Sequence, residues 1–501
     1  MKDCSFSNKL GKISPRKSFL SWGNFFRFVS LVGVFSLSIG IISCGGSGGE
    51  EPGIAAPDAS LANVDFNEEF SGGETTVFID SADFSFSSPA TNLEQSQKTR
   101  FFVGNSFFET NWVIAPASTT GVDGLGPVFN SKSCSGCHFK DGRGKPPTNA
   151  DEIFLGLLLR LSVPGTTAQG GPVPVPHYGL QLNHRGIAGV AGEATPVVTY
   201  EENIGSYADG RPYTLLNPTY EIVNPQFGDL PEDLLISPRV APQMIGMGLL
   251  ENIPESAILF NADPNDINGD GISGKPNYVW SSEDGRTELG RFGWKANVAT
   301  VAEQVAGAFL GDVGITSRIF PDENCEVGQV DCIAAPSGGS PDISDGSLDD
   351  TIFYTQTLAV PARRNWTDET VLRGKKLFTD MKCAQCHTPQ FQTGVNSTIP
   401  QLSNQSIRPY TDLLLHDMGE GLADGRPDFF ATGREWRTPP LWGIGLVETV
   451  NKHTRFMHDG RARSLEEAIL WHGGEAKSSQ ESFRNASRAE REALVKFLKS
   501  L

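Results

Sequence analysis

Cys134-Ser135-Gly136-Cys137-His138 and Cys383-Ala384-Gln385-Cys386-His387 decide how the rest of this chain is read. Two cysteines one helical turn apart can each form a thioether to a haem vinyl group, and the histidine that follows then lies beneath the iron. Paired cysteines also build tetrahedral zinc sites, but zinc wants two further soft ligands, and neither motif has another cysteine pair to share. The two copies therefore point to two covalently bound c-type haems.

The surroundings of the motifs repeat. Thr367 to Thr379 reads as a helix with Leu372, Gly374 and Phe378 inward, and Cys383 follows Phe378 at the interval by which Cys134 follows Phe129. Pro242-x-x-x-Gly246-x-Gly248-Leu249-x-Glu251 returns as Pro439-x-x-x-Gly443-x-Gly445-Leu446-x-Glu448. Ser487 and Glu490 form a capping box before the apolar stripe Ala493, Leu494, Phe497, Leu498 and Leu501. The expected fold is mainly α: two cytochrome c-like haem domains related by internal duplication. Short apolar runs such as Val197 to Tyr200 predict a partly β insertion in the first. The boundaries read as a leader over 1–44, a tether and lead-in over 45–92, a first haem domain over 93–320, an Asp/Gly/Pro/Ser-rich linker loop over 321–350, and a second haem domain over 351–501.

The N-terminus places the chain. Basic residues precede the apolar run Phe28 to Ile42, which is short for a membrane span. Ile41-Ile42-Ser43-Cys44 resembles a bacterial lipobox, with Cys44 taking lipid; an uncleaved anchor helix is the other reading. Either way the body is expected in the periplasm or at the cell surface. Of eight cysteines, only Cys325 and Cys332 are then left over, and outside the cytoplasm they read as a local disulfide, with free thiols as the alternative. The net charge of −18 argues against nucleic acid as a partner, because phosphate binding needs a basic face. It suits a basic redox partner, or simply a solvated acidic surface.

What each haem does depends on its sixth ligand. In the second half His472 ends a helix capped by Ser464, with His416 and Met418 as rivals; in the first, no histidine or methionine occurs from Glu251 to Asp350, although His177 and His184 lie earlier. An open first haem could bind peroxide or oxygen, with Glu251 or Glu303 moving the proton, unless these are ordinary ion-pair residues. Asp266-x-Asn268-x-Asp270-Gly271-x-Ser273 spaces oxygens as a calcium loop does, but Asn277 stands where a bidentate glutamate is usual; a plain Asp/Gly turn is the other reading.

Arg437-Thr438-Pro439-Pro440-Leu441 and Met457-His458-Asp459-Gly460-Arg461-Ala462 look like the C-terminal half of bacterial dihaem cytochrome c peroxidases. Gly124-Leu125-Gly126-Pro127-Val128-Phe129, Gly290-Arg291-Phe292-Gly293-Trp294-Lys295-Ala296 and Trp471-His472-Gly473-Gly474-Glu475-Ala476 resemble the bacterial di-haem oxidoreductases, a family of peroxidase-like proteins sometimes labelled thiol oxidoreductases. The resemblance covers about residues 95 to 501. It implies that the first haem is the peroxide site and that the second passes electrons to or from it, supplied by a redox protein or small donor. It also implies Trp294 as the peroxidases' tryptophan, Glu303 near their catalytic glutamate, and His472 in place of their methionine, hence bis-histidine ligation of the second haem. A dihaem electron-transfer cytochrome without a substrate, and a non-catalytic surface lipoprotein in uptake or sensing, are the competing readings.

Overall fold

Gly104 and Gly374 mark the places where two pairs of helices cross. In the computed structural model, which describes residues 65–79 and 82–501, helix Gln95–Glu109 packs on helix Asp345–Thr357. The absent side chain of Gly104 makes the room: a Cβ there would sit 2.0 Å from Asp350 O. Helix Glu369–Asp380 crosses helix Arg488–Ser500 in the same way, and a Cβ on Gly374 would sit 2.1 Å from Ala493 O. One turn beyond each carbonyl a ring, Tyr354 or Phe497, packs on a phenylalanine one turn beyond the glycine, Phe108 at 5.3 Å or Phe378 at 5.2 Å. Those phenylalanines face His138 at 6.3 Å and His387 at 6.1 Å. Phe108, rather than the expected Phe129, thus stands where Phe378 does. Phe129 lies in a two-residue strand paired with Arg185–Gly186.

Local chemistry starts these helices where they start. Glu94 and Gln97 form a capping box, as do Ser487 and Glu490, while Asp368 accepts from the amides of Thr370 and Val371. Gly246 and Gly443 both take left-handed backbone, at φ 70° and 72°, to enter the short helical turns that begin at Met247 and Ile444. Gly248 and Gly445 then lie against the last turns of the 345–357 and 488–500 helices.

Strand is more abundant than expected. Helix accounts for 29% and strand for 18% of the structure, which does not clearly support a mainly α fold. All six sheets among the described residues are two-stranded and antiparallel. The longest, Thr195–Ser206 with Pro212–Val223, lies in the first half but docks its turn on the second. Tyr207 meets Phe483 at 6.4 Å, the Arg491 guanidinium lies 3.9 Å over the Tyr207 ring, and Arg491 pairs with Asp209 at 2.6 Å.

The expected linker, 321–350, is not all loop. It holds the disulfide Cys325–Cys332 and a short helix Val330–Ile333. Its last residues open the 345–357 helix, where Ser344 accepts from Ser347 N. That helix carries buried Leu348, Ile352, Phe353 and Tyr354 against the first helix, so the first helix pair closes only after the expected boundary at 350. In the lead-in, buried Glu68 pairs with Arg363 and Lys375. The leader over 1–44, with Cys44, and the start of the tether lie outside the described residues.

Gly374→Ala should lower stability by about 1–3 kcal/mol, because a methyl group must displace main chain at the helix crossing. Gly346→Ala, on an open helix face with nothing within 4 Å, should be neutral or stabilising by about 0.5–1 kcal/mol. Thermal unfolding of the holoprotein reads both, and equal midpoints for the two variants would refute the close crossing.

Candidate functional site

Ser133 caps the turn that carries the first motif, accepting from Gly136 N, and Lys382 enters the second motif through left-handed backbone. Both motifs line one continuous cavity between the helix pairs. Unlike Cys325 and Cys332, the four motif cysteines are unpaired. Burial pushes the Cys137 and Cys383 thiols up to about 12 and shifts Cys134 and Cys386 in the same direction. Thiols held protonated in this way are poor nucleophiles.

Three imidazoles are held alike. Nδ1 of His138 donates to Pro242 O at 2.8 Å, Nδ1 of His387 to Tyr410 O at 2.9 Å, and Nδ1 of His472 to Ala468 O at 2.7 Å. A carbonyl only accepts, so each proton sits on Nδ1 and Nε2 keeps its lone pair. Burial pushes His138 and His387 down to about 4 and lowers His472 too, so all three are neutral and fit to ligate a metal ion. All three line the cavity.

Two short helices wall it from the other side. Thr300 accepts from Glu303 N to start helix Val301–Ala308, and Ser464 accepts from Glu467 N to start helix Leu465–Trp471. Counted from these caps, Gln304 corresponds to Ala468, Val305 to Ile469 and Ala308 to His472, and all six residues line the cavity. By this count a methyl group stands at the position that carries an imidazole in the second half, with Ala308 still helical and His472 in extended backbone just past its helix. Gln304 makes no side-chain hydrogen bond among the described residues. Gln304 and Ala308 belong to no motif, and only aligning the two helix caps would have found them.

The two candidate glutamates separate. Glu303 lines the cavity; its Oε1 accepts from the Ser282 and Glu283 amides, and its Oε2 has no hydrogen bond among the described residues. Glu251 does not line it. Its carboxylate accepts from Val301 N at 2.6 Å and Gln356 Nε2 at 2.7 Å, fastening the 301–308 helix to the 345–357 helix. Trp294 lines the cavity, donates from Nε1 to Val240 O, and meets His458 at 6.5 Å; His458 in turn stacks on Trp436 at 3.7 Å.

The rival ligands are otherwise engaged. His416 is buried between Asp412 at 2.8 Å and Glu475 at 2.7 Å. Burial opposes its charge, but Asp412 and Glu475 outweigh it and hold the imidazole well above its ordinary range. An imidazolium has no lone pair to offer. Met418 lines the cavity and packs among Trp294, Leu422 and Trp436. His177 is exposed and bonded to Val327 O, and His184 accepts from Asn130; neither lines the cavity.

Asp266, Asn268 and Asp270 accept from the backbone amides of Gly271, Asp270 and Ile272. Asn277, the expected twelfth position, is buried and bonded to Lys295 O, Asp428 O and Phe430 N. No group of three or more His, Cys, Asp or Glu side chains suited to a metal ion occurs among the described residues. The loop is held by its own side-chain-to-amide bonds, and Asn277 is turned to other partners.

Arg143, Arg160 and Arg437 also line the cavity, and none has an ion pair among the described residues. Burial draws Arg143 down to about 9 and Arg437 to about 10. Buried guanidinium groups call for an anionic guest.

Comparison with curated proteins gives no match. Among solved structures, a chain of Kuenenia stuttgartiensis hydrazine synthase pressurised with 20 bar xenon is similar over 93% of this chain and 99% of that one, at 15% identity and a TM-score of 0.31, too little to build on. The family described as "di-haem oxidoreductase, putative peroxidase" matches residues 65–501. With two haem motifs opening on one cavity, the chain belongs to the di-haem oxidoreductase family.

Proposed function

We propose that this chain is an exported, lipid-anchored dihaem c-type oxidoreductase, in which a six-coordinate second haem exchanges electrons with a first haem that keeps an axial position open to peroxide. The observation that carries it is Ala308 at the place of His472.

The residues suit the group. Cys134 and Cys137, and Cys383 and Cys386, would supply the thiols for thioether attachment, His138 and His387 would each bind an iron, and His472 would bind the second one as well. Haem carries two carboxylates, and the cavity arginines that have no ion pair among the described residues would answer them. Haem iron supplies one-electron redox chemistry, and an iron with a vacant axial position reacts with peroxide while one with two bases only passes electrons.

The chain's own part is to place protons and keep the two sites close. Glu303 lines the cavity with its Oε1 fixed by two amides, and is the carboxylate that would move a proton there. Gln304 offers an amide at the open side. Glu251 positions the helix that bears both. Trp294 and His458, meeting edge to face on the cavity wall, would be the contact through which the sites exchange electrons. An internal duplication accounts for the matched helix pairs, the repeated left-handed glycines and the paired helix caps. The disulfide Cys325–Cys332 suits an oxidising compartment, in keeping with the lipobox at Cys44. A redox protein or small donor supplies the second haem.

In the oxidised holoprotein, Ala308→His should convert the first haem from high-spin to low-spin and lower its rate with peroxide at least tenfold. His472→Ala should convert the second to high-spin, and His416→Gln should change neither. EPR and visible spectra read all three, and a first haem already low-spin in the unaltered protein would defeat the proposal. Cys44→Ser should abolish labelling with radioactive palmitate and move the protein from the membrane to the soluble fraction; unchanged labelling would remove the anchor from the account.

A further inference from the structure

Behind His138 stands an oxidisable ring where the second half has one that is not. Tyr354 and Phe497 occupy matched places at the two helix crossings, each against the phenylalanine that faces the motif histidine. Tyr354 is fully buried, and its hydroxyl donates to Asp141 Oδ1 at 2.5 Å, a carboxylate that is itself buried. The Phe108 ring separates it from His138, at 5.3 Å from Tyr354 and 6.3 Å from the imidazole. On its far side Phe101 packs on Tyr354 at 4.7 Å and on Phe102 at 5.4 Å, and Phe102 is 58% exposed. A file of rings thus leads from the first haem's histidine to the surface, and Tyr354 is its one oxidisable member.

A phenol is hard to oxidise unless its proton leaves with the electron, so the neighbouring acceptor matters as much as the ring. Tyr354 has one. Tyr410, beside the second motif, has the guanidinium groups of Arg363 and Arg408 for neighbours and makes no hydroxyl hydrogen bond to a carboxylate among the described residues.

We propose that Tyr354 is a redox-active residue of the first haem site, supplying an electron to it and the phenolic proton to Asp141 when the second haem has no electron to give. The inference rests on the peroxide reactivity proposed for the first haem. Hydrogen peroxide takes up two electrons and two protons to become two waters. With the second haem oxidised, one electron would come from the first haem and one from Tyr354, and the two protons from solvent: the Tyr354 O–H bond breaks, the electron moves toward His138 past Phe108, and the phenolic proton crosses the existing hydrogen bond to Asp141. A neutral tyrosyl remains, and two electrons from the donor close the cycle, one for the haem and one that with return of the Asp141 proton restores the phenol. The second half, with Phe497, has no such reserve.

The test is to mix fully oxidised holoprotein with one equivalent of hydrogen peroxide, freeze it within milliseconds, and record haem absorbance and the organic-radical EPR signal on the same sample. The unaltered protein should respond in both, and ring-deuterated tyrosine should narrow the EPR signal. Tyr354→Phe should keep the haem response and lose the radical at least fivefold. Asp141→Asn, which keeps the phenol but removes its base, should lose it by a similar factor. A haem response with no tyrosyl signal, or with a signal unchanged in Tyr354→Phe, overturns the role of Tyr354 and leaves the open first haem standing. No haem response at all overturns both.

Discussion

The tautomer of three half-buried imidazoles on the cavity wall is the constraint on which this molecule depends. Pro242, Tyr410 and Ala468 each offer a main-chain carbonyl to Nδ1, and that bond fixes the side of the ring left to bind iron. Burial does the second half of the work by keeping the rings neutral. Those carbonyls are themselves located by the rest of the fold: Pro242 by the turn that ends at the left-handed Gly246, Ala468 by the helix that Ser464 caps. Helix packing through bare glycines, caps and ligand geometry are therefore one structure seen at three scales.

Within that frame the halves differ by single side chains. His472 against Ala308, Ala468 against Gln304 and Phe497 against Tyr354 are the exchanges on which the proposed division between electron passage and chemistry rests. The helix scaffold need not change for this, since each exchange lies on a face already turned to the cavity or to the helix crossing. Division of labour between two similar sites then costs a few substitutions. The long hairpin of the first half, docked on Phe483 and Arg491 of the second, ties the two sites into one compact unit.

What the sequence discloses is mostly local. The cysteine–histidine spacing, the Ser487 and Ser464 caps and the glycine echo are written in consecutive residues, and their physics acts over one or two turns. The cysteine pair 325–332, seven residues apart, is of this kind too. Misreadings arise where partners are distant in the chain. His416 looks like a ligand until Asp412 and Glu475 close on it from two sides. Glu251 looks like a proton carrier until Val301 and Gln356 take up its oxygens. Phe129 has the right interval to its motif, yet the intervening chain from Thr110 to Ser133 puts Phe108 against His138 instead. The polar composition of 345–350 conceals the start of a helix whose apolar face begins only at Leu348.

The central claim is that the two irons are unequal. Near-infrared magnetic circular dichroism of the oxidised, unaltered holoprotein reports axial ligands haem by haem. The account predicts a bis-imidazole charge-transfer band with the intensity of one haem per chain, and high-spin bands from the other. Bands showing two axial bases on both haems would contradict it.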